Sequence, residues 1–545
     1  MGHEAVQQLG SEVWQWRNAI AFHTGDDIPR VDRAVDWVPQ FTVPAIDDIR
    51  SRYDEFHARW FAMDVTAEPV PVQVDYRLIG SALARVIWDI DTLRNWEKDA
   101  VFLTSQILGP WFDRLLQVPP FSADRQQALL IAAKAIPAQV EVAQQNLSRA
   151  GVSSLAAVAA EMLADVEAQF AESVEQLDGF VDAGVLNEIR SVTPAAAAAL
   201  GAFRGWLETH ADSMAADQAV GREKFIWFLR NVALIAAEPE DMVRAARQDY
   251  QRAVVAETIV TNRYRDLAAD RISESVEAQV AREARQEQQV RDFYESENLL
   301  SQPDSLRHYL VGALPDYVKP LRWLGVTDDL TSEQRLEMDG ISYSPDPTPN
   351  LPYFYAANAR DPRLGIVHEG AHYQQLALAS AHENPLRRRY YDSSANEGIA
   401  FYNEEMMMLA GLFTDAPHSE EVIHNFNRLR SLRVIADVSL ATGEFSVHDS
   451  TQFFVDLVPM DRETALDESS MYIATPGLAM SYHVGKMLLI RMMTDAINQQ
   501  KDAFSTRDFH DYVWLNGNVP FSLQRWELLG DRSDIDIIDG SGDHA

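Results

Sequence analysis

Apolar residues along this chain recur mostly at three- and four-residue spacing, the period of an amphipathic helix. The clearest stretch, residues 239–300, contains no Gly or Pro after Pro239. Pro239, Glu240 and Asp241 form a helix start, with Pro in the first turn and acids at the positive end of the dipole. Val243, Tyr250, Val254, Leu267, Val276, Val280, Val290 and Phe293 then follow near-helical spacing, which predicts one long helix or two stacked ones. Segments near 78–108, 123–175 and 193–236 also predict amphipathic helices, broken at Pro119-Pro120 and around residues 179–184. Residues 339–350, three prolines among turn formers, are the clearest punctuation, and the aromatic run 351–356 behind them predicts a strand. Asp361-Pro362 predicts an N-cap and a first helical residue, opening a helix that stops near Asn384-Pro385. The whole pattern predicts a mainly α fold with a helical part over 1–338 and a second part over 339–545, which need not fold independently.

Hydrophobic residues make up 47% of the 545, enough for a packed core and too many for a disordered chain. Cysteine is absent, which excludes disulfides, thiolate ligands and a Cys nucleophile. A formal net charge of −35 lacks the basic footprint that nucleic acid requires. It reads chiefly as a solvated acidic surface, and it could attract cationic peptides. The first residues have neither a basic n-region nor an apolar h-region, and Val6 argues against myristoylation. The small-residue run at 194–203 is too short to span a bilayer. The expectation is a cytoplasmic protein with no membrane or nucleic-acid partner, its oligomeric state left open.

Residues His368-Glu369-Gly370-Ala371-His372 form an HExxH pentapeptide. On the predicted helix the two imidazoles project from one face and can share a Zn²⁺, with Glu369 beside them to work on water. Without thiolates, a zinc site must use His and carboxylate, and a catalytic one needs three protein ligands and an open position. A metzincin would carry Gly at 375 and His at 378; Gln375 and Leu378 exclude that class. His382 sits at the fraying end of the helix and points elsewhere, so the remaining option is a carboxylate within 396–405. There Glu397 and Glu404 stand two helical turns apart on a face flanked by Ile399, Phe401 and Tyr402, where burial is costly unless they are paired or bind metal. Ser394-Ala395-Asn396-Glu397 also fits an S-x-x-E capping box, a purely structural role for Glu397. Met406, Met407 and Met408 read as core, and residues 387–389 as a solvated helix end or loop.

HEGAH followed by Glu397 and Glu404 resembles the helical gluzincin peptidases: thimet-type oligopeptidases, carboxypeptidase Taq-like enzymes and, more distantly, angiotensin-converting enzyme. A closer similarity is to the bacterial domain-of-unknown-function family 885, in residues 397–402 and in the later segment 472–486, YIATPGLAMSYHVGK. It covers most of the second part well and the rest only in helical character. Many members of that family insert Pro-Gly before the second His, whereas this chain keeps the uninterrupted spacing that favours zinc.

The resemblance implies a large multi-helix body with a deep cleft, walled by the first part, and a small β element beside the active-site helix. It implies His368, His372 and Glu397 as zinc ligands, and Glu369 as general base toward the activated water and then proton donor to the leaving amine. Glu404 would orient a ligand histidine, a role that Glu405 or Asn396 could also fill. Tyr482 and His483, with Tyr472 as runner-up, would supply the oxyanion donor, although Tyr482 also fits a buried aromatic with a satisfied hydroxyl. Pro476-Gly477 reads as the bend that opens this late helix, and Gly485 as a close packing contact. Lys486, Arg433 and Arg491 are candidate cations for a terminal carboxylate. Tyr355 and Asn358, on the predicted strand region before the motif, would meet an extended peptide by strand pairing.

Three functions follow as expectations. The first is a zinc metallopeptidase acting on short peptides. The second is a zinc carboxypeptidase or amidohydrolase acting on a small peptide-like metabolite. The third is a non-catalytic helical binding protein with a vestigial site.

Overall fold

Helical periodicity carries through to the structure, a computed structural model describing residues 2–23, 33–216, 219–268, 271–325, 327–329, 337–348, 350–388, 390–458 and 460–540. In the first part, helices Ala100–Leu116, Ala123–Ala150 and Ala183–His210 surround a core holding Trp111, Phe112, Phe170 and Phe203. Their starts are written locally: Asp99 accepts the N–H groups of Val101 and Phe102, and Ser122 that of Arg125. The breaks fall where Pro119-Pro120 and residues 179–184 place them. The long uninterrupted stretch forms two helices rather than one, Pro239–Tyr264 and Val276–Ser296, the second capped by Ser275.

The only sheet among the described residues has three strands, β1 Tyr309–Ala313, β2 Asp328–Asp329 and β3 Gly340–Ser344, in the order β1-β3-β2. β1 pairs parallel with β3, Tyr309 opposite Gly340 and Ala313 opposite Ser344, while β2 is antiparallel to β3. β3 lies inside the segment read from sequence as punctuation, whose Pro349 falls outside the described residues. β1 and β3 come from either side of residue 338, so one sheet joins the two parts. The sheet rests on helix Arg363–Ala379, which carries HExxH: the Tyr309 and Tyr373 rings lie 6.2 Å apart, and a Cβ at Gly340 would meet the Tyr373 ring at 2.5 Å.

Two local expectations are corrected. Residues 351–356 do not form a strand; the chain is helical over Tyr353–Arg360. Its aromatics pack at helical rather than alternating spacing, with Tyr353 and Phe354 both against Phe426 and Ala357 buried behind them. Arg387 is not solvated either: it is buried, bonded to Glu527, Asn516 and Asp75, and ties the chain ends together; Arg389 falls outside the described residues. The methionine reading holds for Met407, which is wholly buried with Met406 and Met408 against the same core.

Helix Gly2–Ile20 and helix Val70–Ile87 pack against residues near the C-terminus, where Leu78 and Ile79 share a core with Val519, Leu523 and Ile535. The long helix Pro417–Thr442 runs beside Pro239–Tyr264 and brings arginines into the second part. No helix among the described residues is long and apolar enough to cross a membrane.

Candidate metal centre

Two helices hold the centre, and polar locks set their register. Asp361 accepts the N–H of Arg363 at 3.1 Å, and the Arg363 guanidinium returns to Asp361, Asp415 and the Leu412 carbonyl, pinning the start of the HExxH helix. Pro362 takes the capping position itself, one residue later than expected. The following helix, Ser393–Ala410, is capped by Asp392, which accepts the N–H of Ala395 at 3.3 Å. Glu397 is therefore not a capping residue; it sits in the second turn, wholly buried. Asn403 donates to the Val367 carbonyl at 2.7 Å and to the Tyr294 hydroxyl at 2.6 Å, clamping this helix to the backbone just before His368.

Glu397 Oε2 lies 3.6 Å from His368 Nε2 and 3.5 Å from His372 Nε2. Ligands of one tetrahedral zinc at about 2.0–2.2 Å stand about 3.4 Å apart, so Glu397 Oε2 stands from each histidine nitrogen at the spacing of co-ligands rather than of hydrogen bonds. One ligand-capable atom each of His368, Glu369 and His372 also fall within 4.8 Å of one another. That grouping includes Glu369 in place of Glu397; the two contacts to Nε2 atoms make Glu397 the better third ligand, because Glu369 is the partly exposed member and Glu397 is sealed. Neither ring nitrogen of His372 makes a hydrogen bond among the described residues, and the same holds for the side-chain amide of Asn396. Buried polar atoms are nearly always satisfied, so a concentration of exceptions at one spot fits a donor set built for an ion. The residues present fit a zinc site of two His and one carboxylate.

Behind the first histidine, His368 Nδ1 is 2.7 Å from Glu404 Oε1, and Arg430 Nη2 is 3.0 Å from the same oxygen. Burial pushes the Glu404 carboxyl up, but Arg430 and then His368 outweigh it and hold it below its usual range. A carboxylate at Nδ1 favours the proton there and leaves the Nε2 lone pair facing Glu397. Glu404 thus stands beside His368, the ligand histidine it was expected to orient. Arg430 had not been singled out from sequence. Its signal was a charge among Leu429, Leu432 and Val434, all buried, on a helix face with no room for water.

The late helix, Ser481–Gln500, reaches the centre through a glycine contact. A Cβ on Gly485 would fall 1.8 Å from the Ser394 carbonyl oxygen, and one on Gly398 would fall 2.5 Å from the Gly485 carbonyl carbon. Only two glycines allow this approach. It lays the Tyr482 ring parallel to His368, 8° apart in plane with centroids 6.2 Å apart, and Arg433 lies 4.7 Å above the tyrosine. The bend opening this helix is as expected: Gly477 has φ 95°, and buried Asp437 accepts its N–H at 2.9 Å and that of Met480 at 2.8 Å. Burial pushes the Asp437 carboxyl up to about 7 against these backbone donors.

The other predicted residues lie at different addresses. Tyr472 is buried and donates to Glu468 at 2.6 Å; Glu468 also takes Arg433, so this tyrosine backs Arg433 rather than the histidines. His483 points to helix Pro239–Tyr264, its Nε2 2.8 Å from Asp249. Burial holds this imidazole below its usual range, with the bond to Asp249 opposing. Lys486 is bonded to Glu405 at 2.5 Å and Asn427 at 3.2 Å, and Arg491 to Asp534 at 2.9 Å. Tyr355 is exposed on a helix and Asn358 packs over Gly365, so neither offers a strand edge to a peptide. His382 accepts the N–H of Asn384.

Two solved structures share this fold. One is described as "a putative lipoprotein of unknown function from Shewanella oneidensis"; at 14% identity and TM-score 0.69 the match covers 97% of this chain and 100% of that one. The other is a "putative lipoprotein from Colwellia psychrerythraea", at 13% identity and TM-score 0.72, covering 98% of this chain and 100% of that one. No curated protein matches the chain. The family profile described as bacterial protein of unknown function (DUF885) matches residues 23–527, and the chain belongs to that family.

Proposed function

We propose that this protein is a zinc-dependent metallopeptidase of the helical gluzincin kind, hydrolysing short peptides in a cleft between its two parts. The observation that carries the reading is the approach of buried Glu397 Oε2 to both His368 Nε2, at 3.6 Å, and His372 Nε2, at 3.5 Å. Zinc held there would act as a Lewis acid on the scissile carbonyl and make water more acidic. Glu369, the partly exposed member, takes a proton from the attacking water and delivers it to the amine that leaves. Tyr482, whose ring stacks on His368, would donate its hydroxyl to the oxygen that gains charge. Glu404 and Arg430 keep His368 in one tautomer throughout.

The test is digestion of a mixed peptide library by zinc-loaded protein, read by mass spectrometry. Cleavage by the native protein and none by a zinc-retaining Glu369→Gln protein is expected. No cleavage by the native, zinc-loaded protein overturns the reading in favour of a helical binding protein.

A further inference from the structure

A cavity of about 1440 Å³ lies between helices Gly2–Ile20 and Val70–Ile87 on one side and the 462–481 segment on the other. That exceeds the roughly 300–1,000 Å³ of ordinary small-molecule pockets. Its wall includes Leu376 and Ser380 of the HExxH helix and Ser393 and Ser394 of the glutamate helix, but none of His368, Glu369, His372 and Glu397. Much of the remaining lining is aromatic, including Trp14, Trp88, Trp96, Phe22, Phe102 and Phe228.

Of the five arginines lining this space, Arg33 and Arg388 bond backbone carbonyls and Arg462 is exposed, which leaves Arg17 and Arg85. The Arg17 side chain makes no hydrogen bond or ion pair among the described residues. The Arg85 guanidinium lies over the Phe228 ring, 5.1 Å from its centroid. Burial, followed by repulsion from Arg85, holds Arg17 below the usual arginine range, with Asp89 and Tyr390 opposing only in part. Both side chains are half-buried, and drawing a charge partly out of water without an anion beside it is costly.

Among the described residues no carboxylate lies within ion-pair distance of Arg17 or Arg85, although several acids line the cavity. Asp392 is engaged as the cap of helix Ser393–Ala410, and the Tyr390 hydroxyl shares a hydrogen bond with Ser81. Asp89 pairs with neither arginine within ion-pair distance, and burial pushes its carboxyl up to about 6 despite both. Two forked donors and one idle acceptor therefore surround apolar space.

We propose that this cavity binds a small carboxylate-bearing molecule, its carboxylate held between Arg17 and Arg85 and its apolar or aromatic body against the tryptophans. Guanidinium forks match carboxylate geometry, and Asp89 supplies an acceptor for an N–H on the same ligand. The site stands on its own residues and does not depend on the peptidase reading.

Calorimetry with N-acetyl-L-phenylalanine and its neutral amide tests it on the full-length protein. The acid should bind, and the amide should bind at least about tenfold more weakly, a difference of about 1.4 kcal/mol. Arg17→Met and Arg85→Met should each lose a similar factor, while His372→Ala should bind the acid as the native protein does. Equal binding of acid and amide, binding of neither, or arginine variants that bind as the native protein overturns the proposal. Loss of binding in His372→Ala also overturns it, by placing the probe at the metal centre. Should an arginine variant fail to fold, the acid-against-amide comparison on the native protein decides.

Discussion

At the metal centre, helices approach until glycine meets glycine, and His368, His372, Glu397, Glu404 and Arg430 crowd within ion-pair reach of one another. In the cavity beneath the N-terminal helix, two arginines and an aspartate stand apart around open, aromatic-walled space. Both regions bury charge, but in opposite ways. The first draws its groups around one spot, with His368 backed by Glu404 and Arg430; the second leaves room for a molecule and holds Arg17 and Arg85 without a carboxylate partner. Dense mutual support favours fixed geometry for chemistry, whereas loose, roomy charge favours capture of something from solution.

The contrast breaks most sharply at Glu369. Glu369→Gln should keep zinc and lose about 10²–10⁴-fold in peptide turnover, the usual worth of a general base, measured on zinc-loaded protein. Retained turnover would show that the dense site does no proton transfer. Next in size is the helix contact. Gly485→Ala drives a methyl group into the Ser394 carbonyl, which must move the helices apart. A loss of about 3 kcal/mol in urea unfolding is expected, at the upper end of overpacking effects. A smaller step removes support from one ligand: Arg430→Met should weaken zinc binding by about 10–100-fold with the fold intact, read by chelator competition.

The smallest effect concerns the pH dependence of the Asp249–His483 contact. The bond from His483 holds the Asp249 carboxyl below its usual range. Its folded value is thus lower than its unfolded one, so its stabilisation is complete above the ordinary aspartate range and is lost as pH falls through the folded value. Asp249→Asn should cost less than about 1 kcal/mol at pH 7, the carboxylate being partly solvent-screened, and the gap to the native protein should close toward pH 3.

The metal centre was far more legible in the sequence than the cavity, for a physical reason. His368 and His372 are one helical turn apart, Glu397 and Glu404 two turns apart, and their spacing alone puts each pair on one face. Gly485 was readable as a contact because a late helix carrying Tyr482 needs a close approach. Arg17, Arg85 and Asp89 meet only through tertiary packing of separate helices, and no spacing announces that. The strand error has the same origin. Residues 351–356 have β propensity, yet Tyr353 and Phe354 both find Phe426, a tertiary partner that local pattern does not display. Meanwhile β3 hides in a proline-rich segment because its partner β1 lies far upstream.

The most direct test of the metal centre is the zinc content of native protein beside Glu397→Gln and His372→Ala, by elemental analysis after dialysis against dilute zinc. Near-stoichiometric zinc in the native protein, with most of it lost in both variants, is predicted. Full zinc retention in Glu397→Gln, or none in the native protein, would contradict the assignment of a His368–His372–Glu397 site.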